Sequence, residues 1–202
     1  MLGLPERTEF NLKITKEKFY SHSEGITQKE KDMFVSDVEK IIWKHKLSEQ
    51  TTNISADNDI SEIEVIYLQL RNKDFNIKLL KLIKDTIPYS IVFALEYENE
   101  VCLAVYRGEK LFRTEWKAPE SFILTLNGLN LKEVWENFII QIGCIKVSDD
   151  KTLDEQIAED EEKQKIKKQI EQLESKARKE TNPRKKFEYA RQLQELKVKL
   201  KE

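Results

Sequence analysis

The chain has 202 residues, 36% of them charged, yet its net charge is only −2. No whole-chain field therefore draws it to nucleic acid or membrane, and any such attraction must be local. Its apolar runs fall far short of the ~18 residues a membrane span needs, and the start MLGLPERTEF lacks the basic and apolar regions of a secretory signal, so a cytoplasmic protein without membrane contact is expected.

Residues 1–22 read as irregular, with a short turn near Lys16 to Tyr20. Thr27 and Glu30 form a capping-box pair that opens a helix. Phe34, Val38, Ile41, Ile42 and His45 follow at helical spacing, predicting a helix that ends near Leu47. The polar stretch 47–59 reads as a loop. ISEIEVIYLQL (60–70) is rich in β-branched residues and apolar on both alternations, which predicts a strand covered on both faces. Asp74 is placed to cap a helix carrying Ile77, Leu80 and Ile83, which Pro88 ends. YSIVFALEY (89–97) is then a strand parallel to the first across a helical crossover. VCLAVYR (101–107) and LFRTEW (111–116) continue as an antiparallel meander, and SFILTL (121–126) reads as a fifth strand. Asn130 and Glu133 cap a helix bearing Val134, Phe138, Ile139 and Ile142.

Past Val147 the composition turns to Lys, Glu and Gln. Ile166, Ile170, Leu173 and Ala177 are spaced four, three, four, as are Tyr189, Leu193, Leu196 and Leu200. Between them Pro183 suits the first position of a new helix, with Asn182 as its cap. The expected fold is α+β: a mixed four- to five-stranded sheet with flanking helices over residues 1–147, followed over 148–202 by an antiparallel helical, coiled-coil hairpin. Such a hairpin buries one narrow seam and is marginal alone. Phe187 and Val198 lie off that seam and, with Tyr189, Leu193, Leu196 and Leu200, are the candidate partner-binding residues; the seam can equally pair two copies into a homodimer.

Motifs for chemistry are sparse. With five glycines the chain holds no phosphate cradle, and it has no GxSxG elbow and no HExxH pair. Cys102 and Cys144 sit in apolar surroundings, lack any Cys/His spacing and read as reduced core cysteines, so neither metal nor cofactor is expected. His22 and His45 have no triad-like neighbours, and His45 reads as a packed or helix-C-terminal residue. Glu62 and Glu64 alternate on one strand face. Glu96, Glu115 and Lys117 can converge in the meander as a Mg²⁺-dependent nuclease would require; the competing reading is a solvated strand face. Trp43, Lys44 and Lys46 combine an aromatic with cations, as a single-strand binder does, or are a core tryptophan with lysines at a helix end. Residues 149–162 carry eight acids and one base, residues 163–201 fourteen bases and five acids. The densest basic cluster, Arg184, Lys185 and Lys186, suits phosphates or an acidic protein groove, and equally a solvated helix tip.

Four stretches, LPERTEFNLKITKEKFY (4–20), IIWKHKLSEQTTNI (41–54), IPYSIVFALEY (87–97) and NPRKKFEYARQLQELK (182–197), resemble the bacterial proteins grouped as domain of unknown function 4391. The likeness covers nearly the whole chain, and its motifs are of a fold type that brings no catalytic residue with it. The resemblance implies encoding beside DNA helicases and DNA methyltransferases in restriction–modification-like systems. The expected function is thus a non-catalytic accessory protein of a DNA-processing or phage-defence system, docking a helicase or methyltransferase component through the hairpin, with DNA contact open. The rival expectation is a Mg²⁺-dependent nuclease or nucleic-acid-binding protein.

Overall fold

The computed structural model describes residues 2–22, 26–146, 148 and 150–200. It divides into two compact units, residues 1–145 and 146–202; Val147, where the sequence predicts the boundary, lies outside the described residues. The first unit holds one six-stranded sheet whose spatial order is the chain order. Its strands are Glu9–Ile14 (β1), Val38–Ser48 (β2), Glu62–Leu70 (β3), Ser90–Tyr97 (β4), Glu100–Arg107 (β5) and Lys110–Arg113 (β6). Every neighbouring pair is antiparallel except β3 and β4, which run parallel and are joined through the helix Lys78–Thr86 (designated α4 below).

The helices are Glu17–His22 (α1), Gln28–Asp37 (α2), Glu49–Thr52 (α3), α4 and Leu131–Gly143 (α5). Phe19 of α1, Phe34 of α2 and Leu79, Leu80 and Ile83 of α4 bury against Ile66, Leu68, Phe93 and Leu95 on one sheet face. The rings of Phe19 and Phe34 stack with centroids 5.6 Å apart. On the other alternation of the central strands, Val65, Val92, Leu103 and Val105 are fully buried as well, and α5 packs on β3, β5 and β6. β3, β4 and β5 are thereby covered on both faces, which is why their sequences read as near-continuous apolar runs.

Several expectations are corrected. The helix from Thr27 stops at Asp37, and residues 38–48 are β2. The capping box at Thr27 and Glu30 is present. The helical spacing beyond it comes from two β-bulges, between Val38 and Lys40 and between Trp43 and His45. The first bulge adds a residue to a period-two pattern and makes the Val38–Ile41 step three, while the second turns His45 to the opposite face. Residues 1–22 are not irregular: they contain β1 and α1. β1 is an edge strand exposed along nearly its whole length, so it lacks the buried alternation that reveals a strand. Residues 121–126 form no strand; a 3₁₀ turn at Pro119–Ser121 is followed by extended chain with Ile123 69% exposed. The sheet has six strands because β1 and β2 join it and this segment does not. Asp74 caps nothing: α4 begins after Ile77 without a side-chain cap, while Asn76 Oδ1 accepts from Lys78 N at 3.1 Å.

The second unit consists of the helices Leu153–Lys179 (α6) and Pro183–Lys199 (α7). Thr152 and Glu155 form a capping box at the start of α6. Asn182 caps α7 as its sequence predicts, its Oδ1 accepting from Arg184 N at 3.0 Å, with Pro183 at the first helical position. The helices touch: Lys197 Nζ donates to Glu174 Oε1 at 2.9 Å, and Leu173 and Leu196 line one shared depression. Ile170 is buried, and Ile166, Leu173, Ala177, Tyr189, Leu193, Leu196 and Leu200 are half-buried in helices otherwise largely exposed.

Candidate functional site

Across the sheet, Glu96 of β4 stands opposite Val101 of β5, and Lys117 bridges to Val101 from the other side. Cross-strand partners share a face, so Glu96 and Lys117 lie on one side of the sheet, with their backbones two strand spacings or about 9.6 Å apart across it. Glu115 is exposed, two residues before Lys117 and beyond the end of β6. Burial pushes the pKa of Glu96 up. Among the described residues no three His, Cys, Asp or Glu side chains group as a metal ion would require.

Trp43, Lys44 and Lys46 lie on β2 and not at a helix end. All three are engaged: Phe10 stacks on Trp43 at 4.7 Å, Lys44 Nζ donates to Asn11 Oδ1 at 2.6 Å, and Lys46 Nζ pairs with Glu62 Oε2 at 2.7 Å. Arg184, Lys185 and Lys186 sit exposed in the first turn of α7. On the same helix Phe187 is 74% and Val198 54% exposed. Eleven residues apart, they differ by only about 20° around the helix and stand roughly opposite the line of Tyr189, Leu193, Leu196 and Leu200.

His45 is buried behind the sheet against Thr8. The Thr8 hydroxyl donates to the Pro5 carbonyl at 2.6 Å, so toward His45 Nδ1, 2.9 Å away, it accepts. Nδ1 therefore carries the proton, and the bare Nε2 is buried without a partner. Burial pulls the imidazole down to about 4, which keeps it neutral and suits a packed residue.

One site escaped the motif search. On β3, residues 64, 66, 68 and 70 turn toward the helices on one face of the sheet. Ile66, Leu68 and Leu70 suit that core, but the first position is Glu64, only 2% exposed. It stands opposite Lys46 on β2 and Ile91 on β4, yet Lys46 pairs with Glu62 instead. Neither Glu64 oxygen makes a hydrogen bond of acceptable geometry. Burial first, then the adjoining Glu62 carboxyl, push Glu64 up to about 8, against a smaller opposite effect of the nearby Trp43 indole. The carboxyl is thus protonated at neutral pH and offers one donor and one acceptor. It lines a cleft of about 250 Å³ together with Ile14, Phe19, Trp43, Ile66 and Tyr89. Its sequence signal was the conjunction of a Glu-x-Glu pair with a strand apolar on both faces, two features that each look ordinary alone.

The comparisons with known proteins bear on the chain as a whole. A family model described as domain of unknown function (DUF4391) matches residues 2–200. The chain belongs to this family. The DUF4391 match takes in the sheet and the two long helices alike, so both units are part of the family's pattern. No curated protein and no solved structure matches the chain. Among the described residues no helix is long and apolar enough to cross a membrane.

Proposed function

We propose that the protein is a non-catalytic interaction protein that docks a larger protein partner through its C-terminal helices, α6 and α7, paired as an antiparallel coiled-coil hairpin. The observation that carries this reading is the exposed apolar ridge of Phe187 and Val198, opposite the half-buried line of Tyr189, Leu193, Leu196 and Leu200. A soluble helix gains nothing from a bare phenylalanine, whereas an aromatic anchor flanked by cations is what a partner's groove takes up. Arg184, Lys185 and Lys186 beside the ridge favour an acidic rim on that groove. The gene setting implied by the DUF4391 resemblance makes a DNA helicase or methyltransferase component the partner to test, in a DNA-processing or phage-defence system of the cytoplasm. The rival reading, a Mg²⁺-dependent nuclease at Glu96, Glu115 and Lys117, has less support, because this set brings only two carboxylates.

The test is co-purification of the tagged full chain with the helicase and methyltransferase encoded beside it, alongside the Phe187→Ser/Val198→Ser double variant. Both substitutions are at exposed positions and leave the seam alone. Loss of co-purification in the variant is expected. Retention of every partner by the variant refutes the reading, as does a stable dimer that the double variant breaks without affecting any heterologous partner.

A further inference from the structure

The Glu64 cleft plays no part in docking through the helices, and it carries a reading of its own. Its volume of about 250 Å³ exceeds the roughly 150 Å³ apolar cavity that accommodates benzene, so it has room for two fused rings. Its walls are almost wholly apolar, with the indole of Trp43 and the ring of Tyr89 among them. Leu12 and Tyr89, 49% and 41% exposed, leave it accessible from solvent. Besides Lys18 and Thr86 the wall holds one acid, Glu64, nearly completely buried, with both oxygens lacking a hydrogen-bond partner.

We propose that this cleft binds a small, planar, uncharged molecule of about two fused rings, with an N–H beside a C=O on one edge, and that Glu64 is the partner of that edge. A carboxylic acid presents an O–H donor and a C=O acceptor side by side, which is the complement of a lactam or cyclic amide. Two such bonds satisfy both orphaned oxygens at once, and an unsatisfied buried polar group is the costly alternative. Charge argues for a neutral guest. The neighbouring cation Lys46 is already balanced by Glu62, and Lys18 also lines the cleft, which disfavours an ammonium. An anion would face the Glu62 carboxylate at Glu64's side. The raised pKa of Glu64 is consistent with its acting as the neutral donor–acceptor pair.

The experiment is titration calorimetry of the full-length chain with two probes, 2-quinolone and 1-methyl-2-quinolone, which differ in the blocked N–H. 2-Quinolone is expected to bind at least about tenfold more tightly, the effect of one hydrogen bond lost from a buried partner. Glu64→Gln keeps a donor and an acceptor and is expected to keep the preference; Glu64→Leu, similar in size, is expected to erase it. A shift of the Trp43 indole N–H resonance on addition of 2-quinolone locates binding in the cleft, with Trp43→Phe assigning the signal. The proposal is overturned if 2-quinolone does not bind, if the two probes bind equally, or if Glu64→Leu retains the discrimination. Binding that leaves the Trp43 resonance unmoved overturns it too.

Discussion

Replacing Glu64 by glutamine should remove much of the fall in stability that the natural protein undergoes as pH rises from 5 to 8. The folded protein holds the Glu64 proton up to about pH 8, whereas in the unfolded chain it leaves near the ordinary 4.5. Between those values the native state binds one proton more than the unfolded state, so stability falls as pH rises. The slope is about 1.4 kcal/mol per pH unit, and over the full interval the loss approaches about 5 kcal/mol. Glutamine fills the same space without a proton to lose. The groups facing this carboxyl are Glu62 on β3, Lys46 on β2, Lys18 on α1 and Tyr89 before β4; all are kept in the variant, and the difference reports the Glu62–Glu64 pair rather than Glu64 alone. Urea unfolding at pH 5, 6, 7 and 8, followed by tryptophan fluorescence, measures that difference. All three tryptophans, Trp43, Trp116 and Trp135, lie in the sheet unit, so the signal reports the right part of the chain. The Glu64→Gln variant should gain on the natural protein by about 4 kcal/mol from pH 5 to pH 8. A difference that stays constant across that range refutes the buried, protonated carboxyl and the reasoning built on it.

Other consequences are simpler to state. His45 is held at about 4 against an ordinary 6.5, so it is neutral in the fold and takes a proton more readily when unfolded. Its contribution is complete above pH 6.5 and is lost as pH falls toward 4, by up to about 3 kcal/mol; replacing His45 with glutamine should flatten that acid limb in the same urea series. Thr8→Val removes the acceptor for His45 Nδ1 and should destabilise by about 1–3 kcal/mol at pH 7, read from the urea midpoint. Asn182→Ala removes the cap of α7 and should cost the helical unit about 1 kcal/mol, visible as a lower midpoint in the circular-dichroism melt. Glu98 turns the β4–β5 hairpin with φ of 55°, a conformation that favours glycine. Glu98→Gly should therefore raise the urea midpoint by the equivalent of about 0.5–1 kcal/mol, somewhat less than the left-handed penalty because glycine also loosens the unfolded chain.

What was legible in the sequence followed burial. β3, β4 and β5 announced themselves because both faces are covered, and their apolar runs leave little choice of structure. The caps at Thr27, Asn130 and Asn182 were readable because each is a local bond between residues a few positions apart. β1 was hidden because an exposed edge strand obeys no buried pattern. β2 was misread because a bulge shifts its register by one residue, and Val38, Ile41 and His45 then stand at helical intervals while His45 actually faces away from the other two. The same limit hid the cleft. Its walls come from β1, β2, β3, α1 and the segment after α4, and no local spacing relates Leu12 to Trp43 or Glu64 to Tyr89. Glu62 and Glu64 were legible as a pair on one strand face, and only the cover supplied by α1 and the end of α4 turns one of them into a buried acid.

The order of the sheet has a bearing on how the molecule comes into being. Each strand after the first lies beside the one synthesised just before it, so a chain leaving the ribosome can lengthen an existing edge with every strand it releases, and the last two joins are tight hairpins. The passage from β3 to β4 is the one join that returns the chain parallel, through α4. Such largely local pairing is associated with rapid folding, and the stage most exposed to sticking between chains is the interval in which β3 has emerged but β4 has not, when its apolar border is still bare.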